Sequence, residues 1–191
     1  MQVKDADVRI KETYSIADAA EVMGLRLPVR VELHTELPGG SKAGYIGVVG
    51  GTHRIRIRVG KQKLPKVGTW VALGGTGSES LWHELTHAWQ CERDFGGSSK
   101  AAFEFYAEDI KKRLKEVGVE LRPEDFGHLG MRITEEREVS KRMFGRSISP
   151  TWDAYEASPW EVEARSMAAS LGSITLKFPV SAKTRRDANI T

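Results

Sequence analysis

A single cysteine, Cys91, stands among 191 residues. One thiol excludes an internal disulfide and any multi-cysteine zinc or iron–sulfur site. Long apolar runs are also lacking, and nothing approaches the roughly 18 residues of a membrane span. The opening MQVKDADVRIKETY is charged throughout and has no apolar stretch of the secretory type, so a cytoplasmic, intracellular chain without a membrane partner is expected. No Pro/Gly/Ser-rich linker and no internal repeat divides the sequence. One domain over residues 1–191 is therefore expected, with a polar tail from about residue 181. Charge of one sign is scarce too: 29 Lys and Arg face 26 Asp and Glu, a net +3 that does not compel a nucleic-acid partner. Hydrophobic residues make up 40% and charged residues 29%, the balance of a folded globular chain. A metal held by this protein must be held by histidines and carboxylates.

The patterning is strand-like first and helical later. Ser15–Met23 has apolar residues at helical intervals with Gly24 placed to stop it. Residues 29–33 alternate as a strand does, 45–49 form a second apolar run, and His53–Val59 alternates most cleanly. Ile55, Ile57 and Val59 point one way there, and Arg54, Arg56 and Arg58 the other. These segments predict a small, mostly antiparallel sheet. Thr76 with Glu79 resembles a capping box ahead of the long helical stretch ESLWHELTHAWQCERDF. Further helices are expected over Ser99–Val117, Glu135–Phe144 and Pro159–Leu171, then a strand over Ile174–Phe178. The fold class that follows is α+β.

His83-Glu84-Leu85-Thr86-His87 is an H-E-x-x-H motif. On a helix, residues four apart share a face, so both imidazoles can reach one ion. Glu84 is turned about 100° from His83, beside the metal and not on it. There it can take a proton from metal-bound water and pass it to a leaving amine. With five His and 18 Glu in 191 residues, chance supplies about 0.01 such patterns. A third protein ligand is needed, and the candidates are Glu161, Glu163 and His128. Gln90 and Arg93 occupy the positions where the extended metzincin pattern requires Gly and His, which excludes that class. Glu161 also fits a capping box with Ser158, so the spacing alone leaves the ligand open.

H-E-x-x-H followed downstream by Glu161-Val-Glu-Ala164, an E-x-x-A helix, resembles the gluzincin zinc peptidases, including the thermolysin-like and compact minigluzincin types. The resemblance covers about Thr76–Glu92 and Tyr155–Leu171. It implies a zincin-like fold, with the sheet packed on an active-site helix and a second, glutamate-bearing helix. It also implies zinc held by His83, His87 and Glu161, Glu84 as general base, and peptide or protein substrates. Two departures stand out: Arg165 takes the place of the usual Asp or Asn, and 73 residues separate His87 from Glu161. A third histidine ligand, His128, would resemble the Spartan-like crosslink proteases instead.

Tyr155 is a candidate to stabilise the oxyanion. Cys91 reads as a small core residue. The His53–Val59 strand could accept a peptide along a sheet edge. Its Arg54, Arg56 and Arg58 could contact nucleic-acid phosphates, or form a solvated face that discourages aggregation. A zinc-stabilised binding module is thus the alternative to a peptidase.

Overall fold

The computed structural model describes residues 13–37, 41–59, 65–120, 129–181 and 185–186. The short strand β1 (Thr13–Ser15) leads into helix α1 (Ile16–Val22). Ser15 caps α1 through a full capping box with Asp18, and the chain leaves it at Gly24 with φ 75°. Next come β2 (Val29–His34), β3 (Ala43–Val49), β4 (Thr52–Arg58) and β5 (Trp70–Leu73). The helical part follows: α2 (Thr76–Phe95), α3 (Ser99–Glu116), α4 (Leu129–Phe144), α5 (Pro150–Glu156) and α6 (Pro159–Leu171). The strands β6 (Thr175–Pro179) and β7 (Arg185–Arg186) come last, so a strand lies within the expected polar tail. The domain is α+β, as expected.

The sheet differs from its expectation. Two small mixed sheets replace one mostly antiparallel sheet, in the orders β1-β6-β5 and β3-β4-β2-β7. Three of the five pairings among the described residues are parallel: β1 with β6, β2 with β4, and β2 with β7. Alternation in a sequence reports which face of a strand is buried, whereas the partner and its direction come from distant chain. The β4 strand illustrates both points. His53, Ile55 and Ile57 are buried while Arg54 and Arg56 are half-buried and Arg58 is exposed. Yet β4 lies between β3 and β2, so it has no free edge for a peptide; the edge strands of this sheet are β3 and β7.

The strand β3 carries a bulge between Tyr45 and Gly47. Gly47 has φ 105°, and a Cβ built there would lie 2.7 Å from Ser99 Oγ. Only glycine allows this backbone conformation and close approach together. Ser99 Oγ accepts the N–H of Val48, pinning β3 to the start of α3.

The main core gathers Tyr14 and Ile16, Val31 and Leu33, Ile55 and Ile57, Leu81, Trp82 and Leu85, and Leu176 and Phe178. The α2 helix therefore presents Leu81, Trp82 and Leu85 to the sheets. A satellite core of Ile110, Leu114 and Ala154 joins α3 to α5. Cys91 is fully buried, as read. The N-terminus of α2 departs from the expected capping box: Gly75 is the N-cap, no side chain caps it, and Thr76 begins the helix. At the other end Gly96, with φ 58°, stops it. Among the described residues no helix is long and apolar enough to cross a membrane.

Candidate metal centre

Helix α2 is continuous from Thr76 to Phe95, so His83 and His87 lie one turn apart, their rings edge-on and their Nε2 atoms 3.1 Å from each other. Helix α6 packs beside α2 and brings Glu161 to them. Its Oε2 lies 3.2 Å from His83 Nε2 and its Oε1 3.2 Å from His87 Nε2. These three residues form a group able to hold a metal ion. Glu161 is 2% exposed and His87 8%, while His83 is partly open. A buried carboxylate needs compensation. Burial alone would raise the Glu161 carboxyl, but its bonds to His83 and His87 outweigh burial and hold it well below the usual carboxylate range. The reciprocal effect acts on His87: burial opposes its charged form, and Glu161 raises its pKa regardless.

The capping role that competed for Glu161 is not taken up. Ser158 is the N-cap of α6, but no side-chain bond closes that turn, which leaves Glu161 turned toward the histidines. Glu163, the alternative ligand, points elsewhere: Arg93 Nη1 bonds its Oε1 at 2.6 Å and Gln90 Nε2 bonds its Oε2 at 2.8 Å. His128 lies outside the described residues.

Glu84 sits next to this group, 8% exposed. Burial raises its pKa against the opposing pull of His87 and His83. Tyr155 is brought there too. Burial and the charge of Glu161 raise its hydroxyl pKa, and its ring lies edge-on to Tyr106 at 6.1 Å between centroids.

Three residues that the sequence reading did not assign complete the surroundings. Gln90 Oε1 lies 2.8 Å from His87 Nδ1. Because Gln90 Nε2 donates to the carbonyl of Trp160 at 3.1 Å and to Glu163, its Oε1 is the acceptor. His87 therefore carries its proton on Nδ1, leaving the Nε2 lone pair free toward the ion position. Gln90 performs the orienting task for which Arg165 is unsuited. Arg165 instead bonds the Glu156 carbonyl and pairs with its carboxylate at 2.9 Å, tying α6 to the end of α5. Tyr106 donates to Glu161 Oε1 at 2.8 Å, and Trp160 stacks on His87 at 6.2 Å and 26°. Gln90 stands three residues after His87, and that i+3 relation is a signal readable in advance. Tyr106 reads only as part of an apolar helix face, and Trp160 carries no signal at all.

The arginine row meets an internal counter-charge. Arg54 bonds Glu32, which is 1% exposed, and Arg56 Nε lies 3.8 Å from the same carboxylate. The 73-residue interval between His87 and Glu161 is occupied largely by α3, α4 and α5. Glu136 of α4 binds the start of α5 through Ser149 Oγ at 2.7 Å and Thr151 Oγ1 at 2.5 Å. Behind the centre, Glu92 near the end of α2 bonds the N–H groups of Arg26 and Leu27 and the buried His53, at 2.8–2.9 Å. That network ties the helix to the sheet.

Comparison with known proteins finds no match to a family model, a curated sequence or a solved structure.

Proposed function

We propose that the protein is a zinc-dependent peptidase of the gluzincin type. One observation carries the reading: His83, His87 and Glu161, from two separate helices, converge with Glu84 buried beside them. Two imidazoles and one carboxylate are a donor set suited to zinc, with a fourth position left for water or substrate. Ligands at 2.0–2.1 Å from a tetrahedral zinc stand about 3.3–3.4 Å apart. The two imidazole nitrogens stand 3.1 Å apart and each lies 3.2 Å from one oxygen of the Glu161 carboxylate, close to that before any ion draws them into place.

Zinc bound there would supply Lewis acidity toward a carbonyl oxygen and a water acidified to about pKa 7. The chain's own groups do the rest. Glu84 takes the proton of the attacking water on its carboxylate and delivers it to the amine nitrogen as the peptide bond breaks. Tyr155 offers a hydroxyl to the oxygen on which negative charge develops. Tyr106 and Gln90 hold Glu161 and His87 in place. The peptide backbone would add along β3, the edge strand beside α2, except at Val48, whose N–H is already taken by Ser99.

The test is a pair of variants. Glu84→Gln should keep zinc at one equivalent and lose at least about 1,000-fold in hydrolysis of a mixed peptide substrate. His83→Ala should lose both. Full activity in Glu84→Gln refutes the mechanism.

A further inference from the structure

Across Trp160 and Tyr106 from the three ligands lies a cleft of about 420 Å³. Its walls come from the last turn of α2, the middle of α3 and the first turn of α6. Aromatic rings dominate: Phe95 lies 5.4 Å from Phe105 and 5.5 Å from Trp160 between centroids, with Tyr106 adjoining. Phe105 is 55% exposed, an uncovered ring where phenylalanine is ordinarily buried. Two carboxylates, Asp94 and Asp109, line the cleft, and no lysine or arginine does. Ser158 lines it as well; it is 1% exposed, and its hydroxyl caps no N–H of α6.

The local charge is negative. Arg93 is shared between Asp94 and Glu163, so one guanidinium serves two carboxylates and leaves one negative charge. Asp109 is balanced by Arg113 at 2.9 Å. The C-terminal end of α2, at Asp94 and Phe95, adds the negative pole of a 20-residue helix, against the positive pole that the first turn of the 13-residue α6 brings at Ser158 and Pro159. Ring faces, carboxylates and a spare hydroxyl oxygen together suit a flat cation with several N–H donors. A guanidinium stacks on aromatic faces and donates in its own plane, which a compact ammonium does not do. A carboxylate or phosphate would meet the charges of Asp94 and Asp109 at the rim.

We propose that this cleft is a substrate subsite that takes an arginine side chain. The proposal rests on the peptidase reading, because the cleft shares its walls with the metal centre: Trp160 stacks on His87 and Tyr106 bonds Glu161. An arginine seated there packs on the face of rings that touch the ligands His87 and Glu161, and on the peptidase reading binding and cleavage preference are expected to go together.

Binding is measured without turnover. The full chain is titrated with Nα-acetylarginine amide and with the citrulline derivative, which has the same shape and no charge. The signal is the indole N–H resonance of Trp160, assigned by its loss in Trp160→Phe. The arginine compound should bind at least about tenfold more tightly. In the double variant Asp94→Asn/Asp109→Asn, checked for an unchanged thermal midpoint, that preference should vanish. Equal affinity for the two compounds, no shift with either, or a preference that survives the double variant overturns the proposal. Cleavage of a matched arginine and citrulline peptide pair separates the two readings. Arginine-selective binding with neither peptide cut leaves the cation site standing and removes the peptidase. Both peptides cut at equal rate removes the subsite and keeps the peptidase.

Discussion

Replacing Gln90 by methionine isolates the group that orients His87. Methionine keeps approximately the volume of the side chain and removes its amide, so the packing between α2 and α6 changes little. Three hydrogen bonds are lost, to His87 Nδ1, the Trp160 carbonyl and Glu163. Gln90 is fully buried, and two of its partners are left unsatisfied in or near the interior. A buried orphan of this kind costs about 1–3 kcal/mol, and a neutral hydrogen bond about 1 kcal/mol. The metal-free variant should therefore be about 2–4 kcal/mol less stable to urea. Zinc affinity should fall separately, by about 10–100-fold, because His87 no longer has its proton fixed on Nδ1. The assay is competition for zinc against a chromophoric chelator at fixed pH, with urea melts of the apo protein alongside. Arg165→Ala is the matched control. Arg165 stands where the resembling family carries its orienting Asp or Asn, yet among the described residues it bonds Glu156 alone, so zinc affinity should not change. Native zinc affinity in Gln90→Met, or a loss in Arg165→Ala equal to it, refutes the assignment.

Glu161→Gln should weaken zinc binding by at least about 100-fold, whereas Glu163→Gln should stay within about tenfold of the native protein; the same competition assay decides it, and a reversed order makes Glu163 the ligand. Tyr155→Phe should retain zinc and lower kcat by about 10–1,000-fold with little change in KM. Tyr106→Phe, which loses the bond to Glu161, should instead lower zinc affinity by about tenfold. Glu92 supplies a pH test on the apo protein. Burial opposes its ionisation, but the N–H groups of Arg26 and Leu27, His53 and the Arg26 side chain bring its pKa down to about 2 from 4.5. A carboxyl depressed on folding stabilises fully above its unfolded pKa and loses that contribution as pH falls through the folded value. About 3 kcal/mol should disappear between pH 4.5 and 2. Urea midpoints followed over that range should fall less steeply in Glu92→Gln than in the native protein, and parallel curves would refute the role.

What depends on near neighbours along the chain is legible in residue order alone. H-E-x-x-H places two imidazoles one turn apart wherever a helix forms, and the α2 segment is helical throughout. The apolar spacing that predicted α3 and the Ser158-Pro159 start and Gly172 stop that predicted α6 worked for the same reason, as did the alternation in β4, since each is a signal between near neighbours. Glu161 was legible only in part. Its spacing from Ser158 matched a capping box as well as its motif matched a ligand, and only the packing of α6 on α2 turned it toward His83 and His87. The orienting role of Gln90 needed Trp160 and Glu163, some 70 residues away, to determine which end of the amide faces the histidine. Strand order was hidden for a related cause: alternation carries the buried face of a strand but not its neighbour. Thus the parallel β2–β4 pair, the interior position of β4 and the edge position of β3 were decided in three dimensions. Short-range geometry is written in residue spacing, whereas contacts across long loops depend on which surfaces bury one another when the whole chain closes.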